Sequence, residues 1–81
     1  MGKHPAGKEE RKFGFTVRKL REANRFTQEA FSKYIGIDRS YEGRIERGEV
    51  SVTLSKIGLI ARGLGLRPWE LFKKAEEKHR K

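Results

Sequence analysis

The chain has 81 residues and a formal net charge of +9, with 20 Lys and Arg against 11 Asp and Glu. It contains no cysteine, which excludes disulfides and zinc sites built on thiolates, and no apolar run approaches the ~20 residues of a membrane span. The length predicts one small domain, and the charge favours a polyanion such as nucleic acid or an anionic membrane. No signal-peptide pattern opens the chain, so we expect a cytoplasmic protein.

The two ends of the chain are basic and lack an apolar period. We expect a flexible arm over residues 1–10, which either lies along a DNA groove or is a plain tail, and a basic tail over residues 76–81. Between them, residues 11–75 carry the pattern of a folded domain. Apolar residues at helical spacing predict a first helix from Glu10 to Ala23.

A second helix is predicted to begin after Thr27, a residue type that caps helix N-termini. Phe26 and Phe31 flank this cap at the spacing of a hydrophobic staple. The predicted buried face of the helix consists of Ala30, Phe31, Tyr34 and Ile35. Gly36 then predicts a left-handed stop, because glycine adopts positive φ without strain.

A third helix is predicted between Asp38, as its cap, and Gly48, with Ile37, Tyr41 and Ile45 on one stripe. A short extended link over residues 50–52 leads to the fourth helix. That helix is capped by Thr53 and has an apolar face of Leu54, Ile57, Gly58, Ala61 and Leu64. Pro68 suits the first position of a fifth helix, in which we expect Leu71 and Phe72 to be core residues. The prediction is a compact all-α domain of five helices.

The second and third helices, joined by a tight turn at Gly36, have the form of a helix-turn-helix, which places its second helix in the DNA major groove. Arg39 lies at the start of that helix and Arg44 on its exposed face. Both are candidate base readers, because a guanidinium can bond guanine O6 and N7 together; the alternative for Arg39 is a phosphate contact or a solvated charge. Ser40 is short enough to touch a base edge or a phosphate.

Together these residues resemble the Cro/C1-type helix-turn-helix domains of phage repressors and Xre-like regulators, and within them the controller proteins of restriction–modification systems. The resemblance covers about three quarters of the chain. It rests on Arg-Lys-Leu-Arg at 18–21, Thr-Gln-Glu-Ala-Phe at 27–31, Ile-Asp-Arg-Ser-Tyr at 37–41, Ile-Glu-Arg-Gly at 45–48 and Pro-Trp-Glu-Leu-Phe at 68–72. It implies a lambda-repressor-like fold and a homodimer that binds a palindromic operator in double-stranded DNA.

The resemblance also implies roles for further residues. Tyr41 would lie near the bases, although its stripe also fits a core role. The phosphate anchors would be Arg21, Gln28, Arg47 and Ser51. The dimer would be built by the fifth helix and the end of the fourth, with Leu64, Leu66 and Trp69 as candidates.

Two glutamates in the third helix need a structural explanation. Glu42 stands where the family usually has an apolar residue, so either the helix is rotated or Glu42 finds a partner such as an arginine. Glu46 is expected to pair with a nearby arginine, with Arg21 as the candidate, and so to orient the motif.

Other function classes find less support in the residues. The two histidines, His4 and His79, lie in opposite ends of the chain, and there is no cysteine nucleophile, Gly-rich phosphate loop or His-Glu-x-x-His motif, so we expect neither an enzyme nor a metal or cofactor site. We also expect no small-molecule ligand. An antitoxin-like module with a protein partner stays open as the alternative, and the apolar stripes argue against a membrane binder because the core needs them.

Overall fold

The computed structural model describes residues 7–78, and within this part of the chain it contains helices and no strand. This confirms the predicted all-α class. The five helices are α1 (Lys8–Ala23), α2 (Gln28–Ile35), α3 (Arg39–Glu46), α4 (Leu54–Gly63) and α5 (Pro68–Lys78). Among the described residues, no helix has the length and apolar character that crossing a membrane requires.

Side-chain caps begin three of the helices as predicted. The Thr27 hydroxyl accepts from the backbone of Ala30 at 3.0 Å, and the Thr53 hydroxyl from that of Lys56 at 3.3 Å. The Asp38 carboxylate accepts from the amides of Ser40 and Tyr41. Because each cap satisfies amides that have no partner within the helix, it fixes where the helix begins.

The outer boundaries of the predicted domain shift slightly. α1 begins at Lys8, two residues before the predicted start, and Glu10 accepts a hydrogen bond from the Gly7 amide at 2.7 Å. Residues 8–10 are therefore helical and do not belong to an arm. α5 continues to Lys78, past the predicted end of the domain. The rest of the predicted arm, residues 1–6, and the tail at 79–81 lie outside the described residues, as do both histidines.

The core lies where α1 packs on α3 and α5 and where α4 packs on α2 and α5. Its buried apolar side chains are Phe13, Val17, Phe31, Ile35, Ile37, Ile45, Ile57, Ile60, Ala61, Leu64 and Leu71. The predicted staple is present, with the rings of Phe26 and Phe31 5.3 Å apart.

Several predicted core residues are exposed. Tyr34 is 66% and Leu54 83% exposed, and Ala30 also faces solvent. Tyr34 stacks on Phe26 at the rim of the core, while Leu54 follows its cap directly and so lies at the very end of the α4 stripe. Phe72 is 44% exposed and covers the core edge through a ring contact with Phe13 at 5.7 Å.

The contact between α1 and α3 depends on Gly14. A Cβ atom there would collide with the carbonyl oxygens of Ile45 and Glu46. Those atoms belong to the backbone and cannot move aside cheaply, so only glycine permits this approach. The close packing brings the C-terminal end of α3 against the middle of α1, which sets the position of α3.

Candidate nucleic-acid interface

One face of α3 is exposed to solvent while the opposite face is buried. Arg39, Ser40 and Arg44 are exposed, and Ile45 and Glu46 point into the protein. The predicted turn is present, with Gly36 in the left-handed region at φ 79°. The structure therefore brings the predicted base-reading residues together on one surface, although their role as base readers stays a prediction.

The side chains of Ser40 and Tyr41 both make contacts within the protein. The Ser40 hydroxyl donates to the Asp38 carboxylate at 3.0 Å, as part of the cap. Tyr41 is half-buried against the core, and the Lys56 ammonium lies 5.6 Å from the centre of its ring. Tyr41 thus packs against the core, as the apolar stripe of Ile37, Tyr41 and Ile45 allowed, and the rest of its side chain is exposed on α3.

A buried ion pair fixes α3 to α1. The guanidinium of Arg21 donates through Nε to Glu46 Oε2 at 2.8 Å and through Nη2 to Glu46 Oε1 at 3.0 Å. Arg21 Nη1 also donates to the carbonyl oxygen of Phe26 at 2.7 Å, at the start of the turn into α2. The predicted pairing of Glu46 with Arg21 is confirmed.

The same carboxylate also holds α2. Gln28 donates from Nε2 to Glu46 Oε1 at 3.0 Å. Burial alone would raise the pKa of Glu46, but the hydrogen bonds from Arg21 and Gln28 hold it below the ordinary value. The hydrogen bond to Glu46 in turn raises the pKa of Arg21 against the effect of its burial. Glu46 therefore stays ionised and joins three helices at one point.

This network changes the interpretation of Arg21. All three of its guanidinium nitrogens donate hydrogen bonds inside the protein, and the residue is only 7% exposed. A charge so deeply placed cannot serve as a surface anchor for a DNA phosphate. We therefore revise Arg21 from a phosphate anchor to a residue that positions α2 and α3. Gln28 is half-buried, with its amide nitrogen committed to Glu46.

Glu42 lies fully inside the protein, and α3 is not turned to expose it. Arg21 bonds Glu46 instead, and both Glu42 oxygens lack a hydrogen-bond donor among the described residues. Burial, followed by the neighbouring carboxylate of Glu46, raises the pKa of Glu42 to about 9. Glu42 is thus a neutral carboxylic acid at pH 7, and in that form its proton can be shared with Glu46. The arginine partner suggested by the sequence was the wrong solution.

The remaining predicted anchors lie at the surface after α3. Arg47 is exposed and donates through Nε and Nη2 to the two oxygens of Glu49, at 2.9 and 3.2 Å. Their mutual hydrogen bonds raise the pKa of Arg47 and lower that of Glu49. The Ser51 hydroxyl donates to a Glu10 oxygen at 3.2 Å. Sequence reasoning missed both carboxylates, because neither belongs to a motif.

The predicted dimer residues differ in their placement. Trp69 is 60% exposed and available to a partner. Leu64 is buried in the core of the single chain and offers no free apolar surface, whereas Leu66 packs against that core and is only partly buried. The assignment of Leu64 to a dimer surface is corrected for this reason, since a side chain counted in the core cannot also cover a second subunit.

Comparisons with known proteins agree with this geometry. A family model described as helix-turn-helix matches residues 17–71. Control protein C.MunI from a Mycoplasma species is 39% identical over 67 residues, which are 82% of this chain and 90% of that protein. The chain belongs to the helix-turn-helix control proteins.

Solved structures of control proteins share the fold. The restriction–modification controller C.AhdI from Aeromonas hydrophila is 42% identical with a TM-score of 0.76, covering 79% of this chain and 97% of that one. The controller C.Esp1396I, solved as a tetramer in complex with its natural 35-base-pair operator, is 26% identical with a TM-score of 0.81, covering 89% and 95%. The resemblance to control proteins that the motifs indicated is confirmed.

Proposed function

We propose that this control protein is a sequence-specific regulator of transcription that binds a palindromic operator in double-stranded DNA as a homodimer. The proposal includes control of a restriction–modification system, which its relatives C.AhdI and C.Esp1396I are named for. It places the protein in the cytoplasm, with no catalytic activity, cofactor or small-molecule ligand. Its regulation would follow its own concentration.

One observation carries this proposal. On its buried side α3 is bound to α1 through the ion pair between Glu46 and Arg21. On its opposite side it exposes Arg39 and Arg44 to solvent. Direct readout requires donors at a defined distance from base edges, and a rigid helix supplies that definition better than a loop. The buried hydrogen bonds of Glu46 therefore explain how α3, a helix of only eight residues, can hold its exposed arginines in a defined position against DNA.

Contacts to phosphate would complete the interface. The start of α2, at Gln28, can face a phosphate with its backbone amides, because the first turn of a helix has amides without internal partners. Arg47 and Ser51 extend the same surface beyond α3. Such contacts position a protein on DNA and make its binding depend steeply on salt.

The dimer would place two α3 helices ~34 Å apart, one turn of DNA, which is why the operator is proposed to be a palindrome. Selection of bound duplexes from a random pool at ~150 mM salt tests this directly. Enrichment of a palindrome with half-sites about one turn apart is the expected result. Recovery of unrelated sequences would reject the proposal of a sequence-specific regulator and favour the alternative hypothesis, an antitoxin-like module with a protein partner.

Replacing Arg39 with alanine is expected to weaken operator binding by about 1–3 kcal/mol, the worth of one good bidentate contact to a base. Binding to random duplex should fall far less. Titrations of both DNAs with the wild-type protein and Arg39→Ala measure the two effects.

Arg18→Ala is the matched control, since Arg18 is an exposed arginine on α1 and lies outside both α3 and the helices proposed to build the dimer. It removes the same charge without touching α3, so its operator preference should equal that of the wild type. Equal losses on both DNAs for Arg39→Ala would show that Arg39 contacts phosphate and not bases.

A further inference from the structure

A glutamate lies within the proposed DNA surface. Glu49 follows the turn at Gly48, whose φ of 74° reverses the chain after α3. Its amide donates to the carbonyl oxygen of Arg44 at 2.9 Å, so the backbone fixes Glu49 against the last turn of that helix. The main chain at Glu49 is therefore held in place, which keeps the side chain close to α3.

The Glu49 carboxylate takes up two of the three donor nitrogens of Arg47, at 2.9 and 3.2 Å. The third, Nη1, lies 3.2 Å from the position that a Cβ on Gly43 would occupy, and Gln28 Oε1 lies 3.4 Å from the same point. The Arg47 guanidinium thus folds back along α3 toward the start of α2. Arg44 also lies close enough to favour the ionised form of Glu49.

We propose that Glu49 is an intramolecular competitor for DNA phosphate that limits the affinity of this protein for DNA in general. The proposal rests on the proposed function, because it needs Arg47 to face DNA. A phosphate reaching Arg47 meets a guanidinium whose charge is already matched and whose paired nitrogens are occupied. It also approaches the negative charge of Glu49.

This arrangement suits a strongly basic chain. A small protein with a net charge of +9 is attracted to any duplex, and general binding draws nearly all its free energy from phosphate contacts. A carboxylate paired with the anchoring Arg47 weakens that attraction without removing a side chain that reads bases. More of the protein then remains free to find its operator.

The test is Glu49→Gln, which keeps the shape of the side chain and removes its charge. We expect binding to a random duplex to become about two- to fivefold tighter, the range that the release of an exposed ion pair supports. The slope of log K against log salt should also steepen by up to ~0.9, the share of one additional phosphate contact.

Two comparisons separate this effect from a simple gain of positive charge. Glu22→Gln makes the same charge change in an exposed pair with Arg18 on α1, away from the helices proposed to build the dimer, and should leave affinity and slope nearly unchanged. In an Arg47→Ala background, Glu49→Gln should lose most of its effect. Equal effects of Glu49→Gln and Glu22→Gln, or an undiminished effect without Arg47, would overturn the proposal.

The outcomes also distinguish the proposal from the proposed function. If the wild-type protein selects an operator while Glu49→Gln binds random duplex no more tightly, the regulator stands and the competitor role is rejected. If neither protein binds DNA, the proposed function itself fails and the competitor role fails with it. Tighter binding of Glu49→Gln together with operator selection by the wild type supports both.

Discussion

Glu46→Gln is expected to lower the free energy of unfolding by about 3–5 kcal/mol, because it leaves the buried charge of Arg21 without its partner. Arg21 is nearly inaccessible to water, and two of its three hydrogen bonds end on Glu46. Gln28 would still lie beside residue 46, but its amide nitrogen would no longer donate to a charged carboxylate. Urea unfolding at pH 7, followed by circular dichroism, measures the loss.

Glu22→Gln provides a control on the same arginine. Glu22 lies 4.0 Å from Arg21 Nη2, but its side chain is partly exposed to solvent. Exposed ion pairs contribute about 0–1 kcal/mol, so this change should be small. Similar losses for the two variants would show that burial does not set the strength of the pair between Arg21 and Glu46.

The buried pair also links stability to recognition. Because Glu46 bonds residues from α1 and α2, its loss should loosen α3 before the rest of the core unfolds. Replacing both Arg21 and Glu46 with apolar residues of similar size should recover stability, since buried pairs are often no stronger than good apolar packing. The ionic network is therefore best understood as a device that orients α3.

Those parts of the fold that depend on neighbours in sequence could be predicted. The caps at Thr27, Asp38 and Thr53 act within three residues, and their signals were sufficient to place helix starts. The pairing of Glu46 with Arg21 followed from the resemblance to known motifs. The exposed side of α3 followed from the spacing of its apolar residues.

Other features depend on contacts that spacing does not encode. In α2, which has eight residues, Tyr34 and Ile35 occupy neighbouring positions around the helix, and the packing of α4 against α2 decides that Ile35 is the buried one. Phe72 likewise covers the edge of the core and does not enter it. Short helices leave this choice to tertiary packing.

The electrostatics of the site were the least predictable part. Arg47 and Glu49 are two apart in sequence, a spacing that does not bring side chains together on a helix. They meet because Gly48 reverses the chain after α3. Glu42 was recognised as unusual, but its solution as a neutral acid depends on the burial that only the folded chain produces.

Glu42 is expected to make the protein less stable as pH rises from 5 to 7. Its pKa in the folded protein is raised to about 9, whereas in the unfolded chain it is ~4.3. Between these values the unfolded state loses a proton that the folded state keeps, so unfolding becomes easier with increasing pH. At ~1.4 kcal/mol per unit of pH, the loss from pH 5 to 7 is about 2–3 kcal/mol.

Glu42→Gln removes the titrating group while keeping a side chain that can donate to Glu46. This variant should therefore be more stable than the wild type by up to about 3 kcal/mol at pH 7 and by less than ~1 kcal/mol at pH 5. Urea unfolding at the two pH values measures this, with Glu29→Gln, an exposed glutamate on α2, as the control.

The opposite shift of Glu46 makes the comparison more informative. Because its pKa in the folded protein is lowered, Glu46 contributes stability above its unfolded pKa and loses it as pH falls through the folded value. Its contribution is thus nearly constant between pH 5 and 7, and the change in that interval belongs to Glu42. If the free energy of unfolding changes with pH in the same way for the wild type and Glu42→Gln, then Glu42 is ionised in the folded protein and its pKa is not raised.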